Sequence, residues 1–147
     1  MVYNGLLNLG SESIEVAIKK YRIGRMSSRC QKQIESEAAY LSKLHHPNII
    51  KYYGTCLDEK AIIMERMGMT LNNDPKCVVM NLREYIDELM DNATNIEPYQ
   101  KIKLALDAAK GIEYLHKNNI VHRDIKSRHN NLLIKEDVRN GITLKVT

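Results

Sequence analysis

Hydrophobic and polar residues alternate along residues 12 to 20, in the stretch ESIEVAIKK. The apolar side chains of Val16 and Ile18 fall on one side of this stretch, and Lys19 shares the other side with the small residue Ala17. A period of two residues is typical of a β-strand with one face turned to the core. The pattern therefore predicts a strand over residues 12 to 20.

The spacing changes over residues 28 to 45, where apolar residues recur every three or four positions at Ile34, Ala38, Leu41 and Leu44. This period is typical of an amphipathic helix with one apolar stripe. A helix is therefore predicted to follow the strand.

Beyond Pro47 the apolar runs become short. The runs at 49 to 56 and 60 to 67 are rich in β-forming residues and flank a turn, which predicts two more strands. Residues 68 to 80 mix turn-forming residues with a short apolar patch, and we interpret them as a linker or loop insertion.

The rest of the chain favours helices. Residues 81 to 90 read as a short helix and residues 92 to 119 as a longer one. Pro98 suits the first turn of the longer helix, and Asn118 and Asn119 can end it. The predicted elements thus change from mainly strands to mainly helices along the chain.

A strand-rich first half with one helix, followed by a helical second half, predicts an α+β fold of two lobes. We place the first lobe at residues 1–67, a hinge or loop insertion at 68–80 and the second lobe at 81–147. The length of 147 residues, with 44% hydrophobic and 27% charged residues, is ordinary for a globular protein with a core.

Composition and hydrophobicity indicate which classes of partner and which location to expect. No run approaches the roughly 20 apolar residues of a membrane helix, and the N-terminus lacks the features of a signal peptide, so a cytoplasmic protein without a membrane partner is expected. We interpret the net charge of +4 as a solvated face and expect no nucleic-acid partner. Cys30, Cys56 and Cys77 are widely spaced and are expected to be reduced thiols rather than disulfides or zinc ligands.

Glu37 is the first candidate for chemistry. It lies three residues after Ile34 and four before Leu41, on or beside the apolar stripe of the predicted helix. A buried carboxylate is costly unless it is paired, and Lys19 on the preceding strand is the nearest logical partner. Periodicity alone leaves open the alternative that both are ordinary surface residues.

Five segments then occur in an informative order and spacing: VAIKK at 16–20, Glu37 with LSKLHHPNII at 41–50, IIMERM at 62–67, ALDAAKGIEYLH at 105–116 and IVHRDIKS at 120–127. Together they resemble the eukaryotic protein kinase domain over nearly the whole chain. The amino-acid sequences of the last two segments are most similar to those of the tyrosine-kinase-like group of serine/threonine kinases, which includes the mixed-lineage kinases.

The resemblance implies ATP and Mg²⁺ as cofactors and assigns residues to the nucleotide. Lys19 would contact the α- and β-phosphates, and Glu37 would hold it there by an ion pair. The remaining nucleotide contacts that the resemblance implies are Val2, Ala17, Met64, Glu65, Met67 and Leu132. Among these, Glu65 and Met67 would offer backbone groups to the adenine edge.

The segment at 120–127 carries the implied catalytic loop. Asp124 resembles the aspartate that accepts or orients the proton of the substrate hydroxyl. Lys126 resembles the lysine that meets the γ-phosphate in serine/threonine kinases, so protein Ser/Thr hydroxyls are the expected substrates. Arg123 resembles the residue that pairs with a phosphorylated activation segment, and His122 is expected to pack and to form hydrogen bonds.

The sequence departs from the family pattern at the metal position. His129 stands where the family has an asparagine, and imidazole is a poor ligand for Mg²⁺. If residues 131 to 134 start the following strand, the loop has two extra residues and Asn131 is the ligand, with Asn130 as the alternative.

The sequence also departs from the family pattern near its two ends, where neither a GxGxxG loop nor an Asp-Phe-Gly segment is found. Phosphate transfer by these 147 residues alone is therefore expected to be poor. A catalytically inactive pseudokinase, a module that binds a nucleotide or partner, and an incomplete gene product remain alternatives. The sequence does not predict the oligomeric state.

Overall fold

The computed structural model describes residues 1–21, 28–70, 77–91, 96–128, 130–137 and 141–147. The elements in chain order are β1 (Val2–Leu9), β2 (Glu12–Lys20), α1 (Ser28–Leu41), β3 (Tyr52–Cys56), β4 (Ala61–Glu65), β5 (Met69–Thr70), β6 (Cys77–Val78), α2 (Leu82–Asp91), α3 (Pro98–Lys117), β7 (Leu132–Asp137) and β8 (Gly141–Val146). This order confirms the predicted α+β class.

The chain forms two compact units, residues 1–45 with 50–66 and residues 46–49 with 67–147. The boundaries drawn from sequence at 67/68 and 80/81 stay a prediction. None of the helices in the described parts of the chain is long and apolar enough to cross a membrane.

The first unit contains an antiparallel sheet with strand order β1-β2-β4-β3. Helix α1 contacts β3 and β4. The side chains of Val16, Ile34 and Ile62 are almost fully buried and form the centre of its core. The predicted alternation over residues 12 to 20 is confirmed, because it coincides with β2.

Strand β1 was not predicted from the sequence. Its residues are mostly exposed and show no clean alternation, so the hydrophobic pattern gives little signal for it. The strand is set by a tight hairpin with β2, in which Leu9 pairs with Glu12 and only Gly10 and Ser11 form the turn. Gly10 has φ +65°, a conformation that glycine adopts without steric cost.

Helix α1 ends earlier than predicted, at Leu41 rather than near residue 45. The chain then tightens into i→i+3 hydrogen bonds, from Lys43 N–H to Tyr40 O and from Leu44 N–H to Leu41 O. Such tighter turns commonly satisfy the carbonyls at a helix end. Leu44 is still buried, so the apolar period predicted the core position correctly and the helix end wrongly.

The second unit contains α2, α3 and two small antiparallel sheets, β5-β6 and β7-β8. Helix α3 packs on β8, and Leu104, Leu115, Ile134 and Leu144 are buried between or beside them. As predicted, Pro98 begins α3, and Asn118 caps its end.

The described residues of the segment predicted as a linker or loop insertion include a short sheet. Met69 pairs with Val78, and Thr70 pairs with Cys77, in the two-stranded sheet β5-β6. Residues 71–76 between these strands lie outside the described residues. Of the cysteines, Cys56 is a half-buried free thiol, as expected, and the side chains of Cys30 and Cys77 lie outside the described part.

A buried polar network joins α3 to β8 and to residues 46–49. Asp107 accepts hydrogen bonds from the Leu144 N–H and from Lys103 Nζ, both at 3.1 Å. The Asn48 side chain donates to Leu144 O at 3.0 Å, and Asn48 O accepts the N–H of Val146 at 2.9 Å. Because buried polar groups are costly when unpaired, this network aligns β8 on the helix.

His46 packs beside this network and is hydrogen-bonded to Asn48. Its ring stacks on Tyr114 with ring centroids 4.8 Å apart, and its Nδ1 accepts the Asn48 N–H at 3.1 Å. Burial lowers the pKa of His46, and the charges of Lys110 and Lys145 lower it further, against an opposing effect of Glu113. The hydrogen bond needs a neutral imidazole, which this environment favours.

Candidate functional site

Lys19 and Glu37 form an ion pair within the first unit, with 2.7 Å between Nζ and Oε1. Lys19 is on β2 and Glu37 is on α1, which contacts β3 and β4 of the same sheet. Both side chains are about one-third exposed, at 39% and 31%. The ion pair gives the Lys19 ammonium a defined position although both side chains are partly exposed.

The neighbouring lysine has a different environment. Successive residues of a strand point to opposite faces, so Lys20 points away from Glu37 and instead pairs with Glu59 at 2.6 Å. The hydrogen bond and charge of Glu59 raise the pKa of Lys20, and the same contact lowers the pKa of Glu59. Of the two adjacent lysines, Lys19 is therefore the one that pairs with a helix residue.

Tyr21 joins the Lys19–Glu37 pair, a contact that was not predicted from the sequence. Its hydroxyl donates a hydrogen bond to Glu37 Oε2, and its ring centroid lies 5.3 Å from Lys19 Nζ. The period of two could have indicated Tyr21. Lys19 and Tyr21 are two residues apart, and residues at that spacing along a strand point to the same face of the sheet.

Several residues expected at the nucleotide lie in the first unit. Ala17 on β2 is paired in register with Met64 on β4, and both are half-buried. Val2 on β1 is 60% exposed. Glu65 is buried, its carboxylate accepts the Lys51 N–H at 3.2 Å, and its own N–H donates to Lys51 O at 2.8 Å. The Glu65 N–H is therefore already engaged.

Met67 and Leu132 belong to the second unit, and both are buried. Met67 precedes Gly68, whose N–H donates to Ile134 O and whose carbonyl accepts the N–H of Glu136. Leu132 begins β7 and pairs with Val146 on β8. The backbone of this segment is thus fixed against the β7-β8 hairpin.

Asp124 is exposed and is held by two side chains of its own loop. Lys126 Nζ lies 2.6 Å from Asp124 Oδ1, and Asn131 Nδ2 donates to Asp124 Oδ2 at 2.9 Å. The same Asn131 amide also donates to the Asp124 backbone oxygen. A carboxylate that accepts from a cation and an amide has a defined orientation, as a proton acceptor requires.

His122 orders the base of this loop. Its Nδ1 accepts the Asp124 N–H at 3.3 Å, so its Nε2 carries the proton that is donated to Thr147 O, 2.7 Å away. Arg123, between them, has φ +65°, a conformation that side chains rarely adopt without support from the surrounding structure. The histidine therefore acts through hydrogen bonds, in keeping with its expected role.

Thr147 connects the end of β8 to the loop, a role that was not predicted from the sequence. Its N–H donates to Asn131 O at 3.1 Å, and its hydroxyl donates to Asn130 O. No local sequence pattern predicts these contacts, because the partners lie 16 and 17 residues away and are backbone oxygens.

The asparagines differ in what their side chains contact. The Asn131 amide nitrogen faces Asp124, which leaves the Asn131 Oδ1 as an oxygen donor of the kind that Mg²⁺ prefers. Asn130 is exposed and is held through its backbone. His129 lies outside the described residues, and the described residues contain no group of three His, Cys, Asp or Glu placed to bind a metal.

Comparison with known proteins adds an independent finding. The model of the family described as protein tyrosine and serine/threonine kinase matches residues 1–146. Serine/threonine/tyrosine-protein kinase HT1 of Arabidopsis thaliana is 35% identical over 130 residues, covering 84% of this chain and 30% of that protein.

Two further relatives come from the same plant. Calmodulin-binding receptor-like cytoplasmic kinase 1 is 33% identical over 143 residues, covering 94% of this chain and 27% of that protein. Serine/threonine-protein kinase STY17 is 30% identical over 125 residues, covering 84% and 20%. The chain thus spans less than a third of the length of these curated relatives. With the family match along almost its whole length, the chain belongs to the protein tyrosine and serine/threonine kinase family.

Proposed function

We propose that this chain carries the nucleotide-binding and catalytic residues of a protein kinase that transfers the γ-phosphate of ATP to Ser or Thr hydroxyls of proteins. The observation that carries the proposal is the loop in which Asp124 is held by Lys126 and Asn131. Membership of the kinase family supports it. The proposed location is the cytoplasm.

Asp124 is proposed to accept or orient the proton of the substrate hydroxyl. Its exposure leaves the carboxylate accessible to a protein substrate, the Asn131 amide sets the direction of the carboxylate, and His122 holds the Asp124 backbone N–H. General base catalysis by a positioned side chain contributes about 10²–10⁴ in rate. Lys126, at 2.6 Å from the same carboxylate, supplies a cation that can stabilise charge on the transferred group.

Lys19 is proposed to bind the ATP phosphates. A lysine is a flexible point charge, and its ion pair with Glu37 limits the positions that this charge can take. Ala17, Met64 and Val2, with backbone groups near Glu65, are proposed for the adenine in the first unit. Met67 and Leu132 are proposed as adenine contacts from the second unit.

Mg²⁺ would neutralise charge on the phosphates when bound. Asn131 is the proposed ligand, because its Oδ1 is the amide atom not turned to Asp124. Asn130 remains the alternative ligand. One amide oxygen is only part of an octahedral oxygen shell, so phosphate oxygens and water would complete it.

Transfer of labelled phosphate from ATP to protein and peptide substrates tests the proposal, together with MgATP binding by calorimetry. In a full-length form of the kinase, Asp124→Asn is expected to abolish transfer and leave MgATP binding largely intact, because it removes the proton acceptor and keeps the shape. Lys19→Met is expected to lower both. Lys20→Met is the matched control, since it removes the adjacent lysine that pairs with Glu59.

Equal transfer by the Asp124→Asn variant and the parent would refute the proposed role of the loop. Binding of MgATP without transfer by the parent would favour the inactive pseudokinase instead. For the metal, Asn131→Ala should raise the Mg²⁺ concentration needed for half-maximal transfer, and Asn130→Ala should not. The reverse ranking would assign the ligand to Asn130.

A further inference from the structure

Tyr21 completes a three-residue cluster with Lys19 and Glu37. Glu37 uses one carboxylate oxygen for Lys19 Nζ, at 2.7 Å, and the other for the Tyr21 hydroxyl. The Tyr21 ring lies 5.3 Å from the same ammonium, a distance at which a cation is attracted to an aromatic face. Each member of the cluster therefore contacts both others.

The backbone of Tyr21 is anchored independently of this cluster. Its N–H donates to Lys60 O at 3.0 Å, and Lys60 sits in the β3-β4 turn with φ +48°. The preceding residue, Lys20, exchanges backbone hydrogen bonds with Met1 in the β1-β2 ladder. The tyrosine thus projects from a fixed point at the end of β2.

We infer that Tyr21 is a positioning residue that fixes the Glu37 carboxylate and, through it, the phosphate-binding ammonium of Lys19. This inference rests on the proposed function for the role of Lys19, and on geometry alone for the link between Tyr21 and Glu37. None of the kinase-like segments that identify the family assigns a role to this position.

The physical reason lies in the freedom of a glutamate side chain. The terminal torsion of glutamate is broad and nearly two-fold, so one ion pair does not determine the plane of the carboxylate. A second, charge-assisted hydrogen bond to the other oxygen does determine it. Lys19 and Glu37 are partly exposed, where a single ion pair contributes little by itself.

The test is a double-mutant cycle on the full chain, with the parent, Tyr21→Phe, Glu37→Ala and the double variant. Phenylalanine keeps the ring beside Lys19 and removes only the hydroxyl. Calorimetry measures the Kd for MgATP, and urea unfolding measures the midpoint on the same four proteins. Tyr53→Phe is the matched control, because Tyr53 also has a lysine over its ring, with Lys51 Nζ at 5.0 Å.

Tyr21→Phe is expected to weaken MgATP binding about 3- to 10-fold, within the range for losing a typical hydrogen bond at a partly exposed site. In the Glu37→Ala background the same change should alter the Kd by less than about 2-fold, since the carboxylate that it positions is gone. Tyr53→Phe should leave the Kd unchanged.

An equal loss of affinity in both backgrounds would overturn the inference, because a purely structural tyrosine acts regardless of Glu37. No loss in either background would also overturn it. If the parent binds no MgATP, the proposed function fails separately, and the unfolding midpoints decide. Non-additive midpoints then support positioning of Glu37 by Tyr21, and additive midpoints refute it.

Discussion

Gly111 lies in the middle of α3, and its replacement by alanine sets two effects against each other. In an exposed helix, exchanging glycine for alanine stabilises by about 0.8–1 kcal/mol, since glycine loses more backbone freedom on folding. At position 111, however, an added Cβ would lie 2.7 Å from the Asn48 backbone oxygen and 2.7 Å from Val146 Cγ2. Neighbouring atoms would have to move.

The clash should be the larger effect. An extra carbon in a packed interior costs about 1–3 kcal/mol. The Asn48 oxygen is a backbone atom that also accepts the Val146 N–H at 2.9 Å, and weakening that bond costs up to about 0.5–1.5 kcal/mol more. After the helix gain is subtracted, Gly111→Ala should lower the free energy of unfolding by about 0.5–3.7 kcal/mol.

Urea unfolding followed by far-UV circular dichroism measures this change. The matched control is Ala105→Gly, at an exposed position of the same helix, which should destabilise by about 1 kcal/mol through propensity alone. If Gly111→Ala stabilises the chain by as much as the control destabilises it, the close packing of α3 against Asn48 is refuted.

Three further predictions concern the second unit. Asp107→Ala should lower the unfolding free energy by about 1–3 kcal/mol, because it leaves the buried Leu144 N–H without its acceptor; urea unfolding measures this. Burial lowers the pKa of His46, so the unfolded chain binds a proton at a higher pH than the native chain. Stability should therefore fall as pH drops below the unfolded value of about 6.5 and on through the folded pKa, and His46→Phe should flatten that dependence in unfolding curves measured across this range. Ile134→Val, at a side chain with no exposed surface, should cost about 0.5–1.5 kcal/mol by the same urea assay.

Each of these predictions has a matched control variant at an exposed position, where a much smaller effect is expected. Asp87→Ala breaks an exposed pair with Arg83 and should cost at most about 0.5 kcal/mol, so an equal loss at Asp107 would contradict its buried role. His45→Gln, at an exposed site, should keep the pH dependence. Ile102→Val, also exposed, should be nearly neutral.

Local elements were largely predictable. The period of two over ESIEVAIKK coincides with β2, and Pro98 and Asn118 mark the ends of α3 as expected. These features depend on residues within a few positions of one another, so they are legible in a single sequence. The family was predictable for a related reason, because its segments keep their residue types and order.

Part of the candidate site was also predictable. Lys19 with Glu37 was proposed from the apolar stripe of the helix, and the structure pairs them. The roles of Asp124, Lys126 and the asparagines in phosphate transfer stay predictions. Tyr21 was missed because its partner, Glu37, is 16 residues away on another element. The period of two places Tyr21 beside Lys19 but does not show that it reaches Glu37.

The sequence by itself determined the strand and helix periods, the family and the residue types available for chemistry. Only the tertiary structure decided which polar groups meet, as when Asn48 reaches Leu144, 96 residues along the chain, or when Thr147 bonds Asn130 and Asn131. Hydrophobic periodicity records only whether a side chain faces the core. A hydrogen bond needs a donor and an acceptor within about 3 Å, and packing of distant segments sets that distance.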